Sequence, residues 1–280
     1  MILKLLLALA AAIHAPHSGI VVVHQGKVTQ KHTGRVNELS LLPLGSISKT
    51  LATEVLVQQS GRQLSKIPPD LLRLATHTSG LPRNGDLSKF TLDGQSHTPA
   101  YSNIGYQLLG QKLGNYPKLL AQYVTTPIGM ADTTATPSPA QCARLVPGVP
   151  CEASPQLAST ASVYSTPADM AKYMLHVLKQ GPTIAHLPRV PRSQFPDVKD
   201  FDHAGHAEAI GLGWVLLEQP TKIVQKTGGY QGWFTYIAFH FESQSAVFIA
   251  VPGDDLKAMH PVYAEANRLL AELAKQHRGK

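Results

Sequence analysis

The sequence is poor in the features that mark several classes of protein. Only two cysteines occur in 280 residues, which excludes a disulfide-stapled scaffold and a multi-thiolate metal cluster. Aromatic residues make up 6% and no run of five lysines and arginines occurs, so the usual marks of nucleic-acid binding are missing. A net charge of +7 is then read as a generally basic surface, or as a basic cleft for a carboxylate-bearing substrate. Beyond residue 12 no stretch stays apolar long enough to cross a bilayer. Internal repeats and low-complexity segments are absent. What is present is 43% hydrophobic and 15% charged residues, the balance of a folded soluble enzyme with one large core or two subdomains.

Residues 1–12 open with Lys4 in a short apolar run that ends in Ala10-Ala11-Ala12. That pattern predicts an export signal, too short to span a membrane, and a periplasmic or secreted protein. The alternative is a short N-terminal helix kept in the mature protein and packed on the sheet. Cys142 and Cys151 flank a segment with a Pro147-Gly148 turn, which would bring the thiols together as a disulfide in an oxidising compartment. Two unpaired thiols in a loop are the other reading, and in neither are they catalytic.

In chain order, Ile20 to Lys31 reads as a hairpin about Gln25-Gly26. A helix is expected over about 46–60, followed by a break at Pro68-Pro69. Residues 70–207 carry most of the prolines and short helical patterns at 70–76, 106–112, 118–124 and 167–179. Strand patterns return at 211–217, 221–226, 233–241 and 245–251. An amphipathic helix over about 261–275 closes the chain. The expected fold class is α+β: an antiparallel sheet built from 13–69 and 208–280 and flanked by N- and C-terminal helices, with 70–207 inserted as a mostly helical subdomain.

The chain is organised around Leu44-Gly45-Ser46-Ile47-Ser48-Lys49-Thr50. A three-residue step on a helix puts Ser46 and Lys49 on one face. A serine hydroxyl needs a neighbouring base to become a nucleophile, and a buried lysine near other cations can supply one. Alone, Ser-x-x-Lys is more often a solvated helix face. Here Lys49 is the only lysine with a serine three positions before it, and two further motifs follow.

The second is Tyr101-Ser102-Asn103, just before a helical segment and the only Tyr-x-Asn in a chain with five asparagines. Alternation in an extended loop sends Tyr101 and Asn103 the same way. A phenol beside two ammonium groups is suited to carry protons, and an amide can bond both a lysine and a substrate. A structural turn with Asn103 as a helix cap is the plain alternative. The third is Lys226-Thr227-Gly228-Gly229-Tyr230, between two strand-like runs. Its glycines would bare an edge for substrate, Lys226 and Thr227 would meet a carboxylate, and the Gly229 and Ser46 N–H groups would form an oxyanion hole. A glycine-rich hairpin turn is its alternative.

Taken in order, these motifs resemble the penicillin-recognising set. The chain resembles serine β-lactamases of the class C type, a family that includes D-Ala-D-Ala peptidases and esterases. His77-Thr78-Ser79-Gly80-Leu81-Pro82, Tyr101 to Gly110 and Tyr164 to Ala171 resemble further family segments. The resemblance implies a β-lactamase/transpeptidase-like fold. It makes Ser46 the acylated nucleophile, Lys49 its proton acceptor or electrostatic partner, and Tyr101 the general base and acid aided by Asn103. Lys226 with Thr227 would anchor a substrate carboxylate, beside Gly228 and Gly229. Whether Lys49 or Tyr101 takes the first proton stays open. β-Lactam hydrolysis is the first expectation and D-Ala-D-Ala carboxypeptidase or endopeptidase activity the second, with an esterase or a β-lactam sensor behind them. The expected partner is a small lactam or peptide met by a single chain, with neither nucleic acid nor a membrane span.

Two departures stand out. The family's long N-terminal helix has no counterpart unless residues 2–14 supply it, and Asp254 to His260 offers no asparagine or arginine for a carboxylate. No cofactor is expected. Among thirteen histidines, His203 and His206, with Asp200 and Asp202 close by, are the one place a divalent metal is considered, and a solvated loop is preferred there.

Overall fold

The computed structural model describes residues 2–195 and 199–278. The outermost ends of the 1–12 and 208–280 ranges, and residues 196–198 of the helical range, lie outside the described residues.

Helix α1 (Ile2–Ala12) leads into a hairpin of β1 (Ser18–His24) and β2 (Lys27–Thr33), then β3 (Leu42–Pro43) and α2 (Ser48–Gln59). The middle of the chain holds α3 (Pro69–Ala75), α4 (Asn103–Leu113) and the short α5 (Tyr116–Leu120), α6 (Thr126–Ile128) and α7 (Pro139–Cys142). After β4 (Tyr164–Ser165) and α8 (Pro167–Gln180) come β5 (Val190–Pro191), β6 (Ala209–Ile210), β7 (Val215–Leu217), β8 (Ile223–Tyr230), β9 (Trp233–His240) and β10 (Ser245–Pro252), with α9 (His260–Arg278) last. One antiparallel eight-stranded sheet runs β2-β1-β10-β9-β8-β7-β6-β5, and β3 pairs with β4 apart from it.

The sheet is covered on both faces, which explains the unbroken apolar run of β1. Val21, Val23, Ala246, Phe248 and Ala250 face one core with α2, α4 and α8. Their alternates Ile20, Val22, Val247, Ile249 and Val251 face a second core with α1 and α9. At the Gln25-Gly26 turn both residues have positive φ (48° and 76°), the backbone a two-residue hairpin requires.

Residues 2–12 form a helix, α1. Leu6 and Leu9 are buried in the second core, and α1 packs against α9. Cys142 and Cys151 are joined as a disulfide, with Cα atoms 5.5 Å apart. Three sequence expectations change. Residues 211–217 are a turn and a strand: the Gly211 N–H donates to the Trp214 carbonyl at 2.9 Å, so the buried Leu212 and Trp214 sit in a bend between β6 and β7. The Lys226-Thr227-Gly228-Gly229 stretch lies inside β8, paired to Ile237 through Phe234 of β9, not in a turn. Finally β5, inside the 70–207 range, is an edge strand of the main sheet. Among the described residues no helix is long and apolar enough to cross a membrane.

Candidate active site

Ser46 sits in a single 3₁₀ turn, Gly45–Ile47, that runs directly into α2. Gly45 has φ +54°, and a Cβ there would collide with the backbone of Gly228 and Gly229. On the other side, a Cβ on Gly228 would strike the Leu44 carbonyl and Thr235 Oγ1 and come within 3.1 Å of the Ser46 nitrogen. Bare glycines on both partners let β8 lie against the turn, which brings the Ser46 and Gly229 amides to one place. Helix α2 behind them is buried from Ser48 to Val57. Two of its threonines bond locally, Thr50 Oγ1 donating to the Ile47 carbonyl at 2.8 Å and Thr53 Oγ1 to that of Thr50 at 2.9 Å.

One turn on, Lys49 is fully buried. Its Nζ donates to Ser46 Oγ at 3.0 Å, Asn103 Oδ1 at 2.8 Å and the Thr160 carbonyl at 2.9 Å. The second motif arrives by way of a helix cap. Ser102, not Asn103, is the N-cap of α4: its Oγ accepts from the Gly105 N–H at 2.8 Å and donates to the Pro82 carbonyl at 2.7 Å. That fixes Tyr101 just before the helix and Asn103 as its first residue. The Tyr101 hydroxyl donates to Ser46 Oγ at 2.8 Å. Asn103 Nδ2 donates to Asn84 Oδ1 at 2.8 Å.

Lys226 is almost fully buried, and its amine donates to the Tyr101 hydroxyl at 3.3 Å. Lys49 and Lys226 nitrogens lie 5.1 and 4.8 Å from the Tyr101 ring centre. The electrostatics follow. Burial opposes ionisation of Tyr101, but Lys226 and then Lys49 outweigh it and bring the phenol down to about 7. Burial lowers Lys49 to about 8, with Tyr101 holding it up and Lys226 pushing it further down. The phenol and the amine therefore titrate as one coupled group.

His77 stacks on the far side of Tyr101, ring centres 4.6 Å apart, and its Nδ1 accepts from the Ser102 N–H at 3.1 Å. Burial, then Lys226 and Lys49, drive its pKa well down, so it packs as a neutral ring. A cleft of about 430 Å³ opens over Ser46. Thr227, Gly228 and Gly229 line it together with Arg83, Asn84 and Asn103. All eight sequence-predicted site residues therefore come together. Arg83, Asn84 and the Thr160 carbonyl were missed, although Arg83 and Asn84 directly follow the His77–Pro82 segment. His203 lines the same cleft 3.9 Å from Asp200, whereas His206 pairs with Glu208 at 3.7 Å. Among the described residues no three His, Cys, Asp or Glu side chains gather as a metal site.

A serine hydroxyl touched by both a lysine amine and a tyrosine hydroxyl is an arrangement that can carry out acyl transfer. The β-lactamase family model matches residues 6–272. The chain belongs to the β-lactamase family. It is 31% identical to the D-alanyl-D-alanine-carboxypeptidase/endopeptidase AmpH of Escherichia coli K12, over 84% of this chain and 77% of that protein. A β-lactamase/D-alanine carboxypeptidase from Yersinia pestis, crystallised with citrate, superposes with a TM-score of 0.83 at 27% identity, over 95% of each chain. A class C β-lactamase from Rhodobacter sphaeroides shares the fold at a TM-score of 0.75 and 17% identity, over 98% of this chain and 99% of that one. The protein is a hydrolase of this family with its α+β fold.

Proposed function

We propose that the enzyme hydrolyses the terminal amide of D-Ala-D-Ala peptides through an acyl-enzyme on Ser46. The observation that carries this substrate choice is the 31% identity to a D-alanyl-D-alanine-carboxypeptidase/endopeptidase over 84% of the chain. In the first step the Tyr101 phenolate takes the Ser46 proton and Oγ attacks the carbonyl carbon. Lys49 stays protonated, steadying both oxygens while Asn103 and the Thr160 carbonyl hold it in place. The N–H groups of Ser46 and Gly229 receive the oxyanion, a contribution of roughly 3–4 kcal/mol for each donor. Collapse breaks the C–N bond, and Tyr101 gives its proton to the departing amine. Water then repeats the sequence, with Tyr101 again taking a proton and returning it to Ser46 Oγ. Thr227, backed by the charge of Lys226, meets the terminal carboxylate. These steps need only side chains, backbone amides and water.

β-Lactam hydrolysis by the same groups is the second reading, favoured by the 27% identity to the β-lactamase/D-alanine carboxypeptidase of Yersinia pestis. The two share acylation and differ in how quickly water clears the acyl group. A chromogenic cephalosporin and a D-Ala-D-Ala peptide, each followed for turnover and adduct mass, separate them. Peptide cleavage with a lasting lactam adduct supports the first reading. Rapid lactam turnover without peptide cleavage replaces it with the second. The Cys142–Cys151 bond supports action in an oxidising compartment outside the cytosol.

A further inference from the structure

Three cations surround the Tyr101 ring, and the sequence motifs account for only two. Lys49 reaches it from α2 and Lys226 from β8. The third is Arg83, whose guanidinium carbon lies 5.0 Å from the ring centre. Its backbone is tied to the site as well, since its carbonyl accepts from the Asn103 N–H at 2.8 Å. The side chain is 49% exposed on the cleft wall, and so long a chain keeps one geometry only if something holds it. Asp200 does so: its Oδ2 lies 2.6 Å from Arg83 Nη1.

The other neighbours of the ring do not compete for this role. His77 is neutral and stacked, Ser46 offers a hydroxyl, and Phe201 meets the ring edge-on at 5.7 Å. His203 lies beyond, next to Asp200, and burial keeps its pKa low. Arg83 also acts on Lys49 and His77, lowering the pKa of both in the same sense as Lys226 does. A cation over an aromatic face favours added electron density in that ring, and a phenolate has more of it than a phenol.

We propose that Arg83 is a positioning residue for proton transfer, held over the face of Tyr101 by Asp200 so that a third positive charge favours the phenolate. This rests on the reading of Tyr101 as the base. The half-exposed Arg83–Asp200 pair makes its contribution modest and sensitive to salt.

The test reads Tyr101 without any substrate. Ultraviolet difference titration of tyrosinate, with Tyr101→Phe as the blank, gives the ionisation midpoint of this one phenol. In Arg83→Gln the midpoint rises by about half a pH unit, the worth of an exposed cation over a ring. Arg83→Lys keeps the charge and falls between the wild type and Arg83→Gln. Asp200→Asn raises the midpoint too, and the double variant Arg83→Gln/Asp200→Asn rises no further than Arg83→Gln alone. The gap between wild type and Arg83→Gln narrows at high salt. An unmoved midpoint in Arg83→Gln, or an Asp200→Asn effect that adds fully to it, overturns the proposal. The outcomes stay separable: a shifted titration without hydrolysis of any peptide or lactam removes the functional reading and keeps Arg83, while hydrolysis with an unshifted titration does the reverse.

Discussion

Lys226 Nζ donates to the Tyr101 hydroxyl at 3.3 Å, a contact that ties strand β8 to the loop before α4 and leaves the phenol between two buried amines. Remove one amine and the phenol holds its proton more tightly. Acylation should therefore climb as pH passes about 7, where Tyr101 ionises, and fall beyond about 8, where Lys49 loses its charge. Both limbs belong to the coupled pair. Lys226→Gln takes away a positive charge, so the acid limb moves up and the rate at pH 7 drops by roughly tenfold for each pH unit moved. The pH–rate profile of acylation in the two proteins checks this.

The approach of β8 to the Ser46 turn depends on Gly228. Its Cβ would run into the Leu44 carbonyl and Thr235 Oγ1 and displace the Ser46 amide. Gly228→Ala should lower acylation by about 10²-fold or more, the cost of losing an oxyanion donor. Single-turnover kinetics with a lactam should show the loss in the chemical step, with binding changed far less.

Helix α1 is part of the second core as the structure stands, with Leu9 fully buried against the elements around α9. If the mature protein keeps it, Leu9→Ala opens a cavity there and costs about 2–5 kcal/mol. Urea unfolding of the full chain, followed by tryptophan fluorescence, measures that cost. N-terminal sequencing of exported protein shows directly whether the helix is retained.

The Cys142–Cys151 bond closes a short loop beside Leu41, whose N–H donates to the Arg144 carbonyl at 2.7 Å. Breaking it with Cys142→Ser/Cys151→Ser should cost about 2–3 kcal/mol through the entropy of the unfolded chain. The urea midpoint should fall while acylation at low denaturant is kept, because no residue of this loop touches Ser46 in the geometry described.

Much of the site could be read along the chain because its chemistry depends on short spacings. A step of three put Lys49 on Ser46, a step of two put Tyr101 and Asn103 into one space, and Lys226-Thr227 named its own wall. The pairing of Arg83 with Asp200 was not legible, since the two stand 117 positions apart in the chain and only the folded loops bring them within 2.6 Å. The Thr160 carbonyl was hidden for another reason: a backbone acceptor leaves no mark on residue identity. In the fold, the β1–β2 hairpin was plain from its apolar run and Gln25-Gly26 turn, and α9 from its periodicity. Leu212 and Trp214 misled because a buried bend carries the same apolar residues as a strand. Gly228 and Gly229 were placed between two strand-like runs because glycine has low strand propensity, whereas their presence in β8 answers to the Ser46 turn packed against them.

The most direct test is intact-mass analysis with peptide mapping after brief exposure to a penicillin. The account predicts a single acyl adduct on the peptide containing Ser46, absent in Ser46→Ala. An adduct on another residue, or lactam hydrolysis by the Ser46→Ala protein, would contradict it.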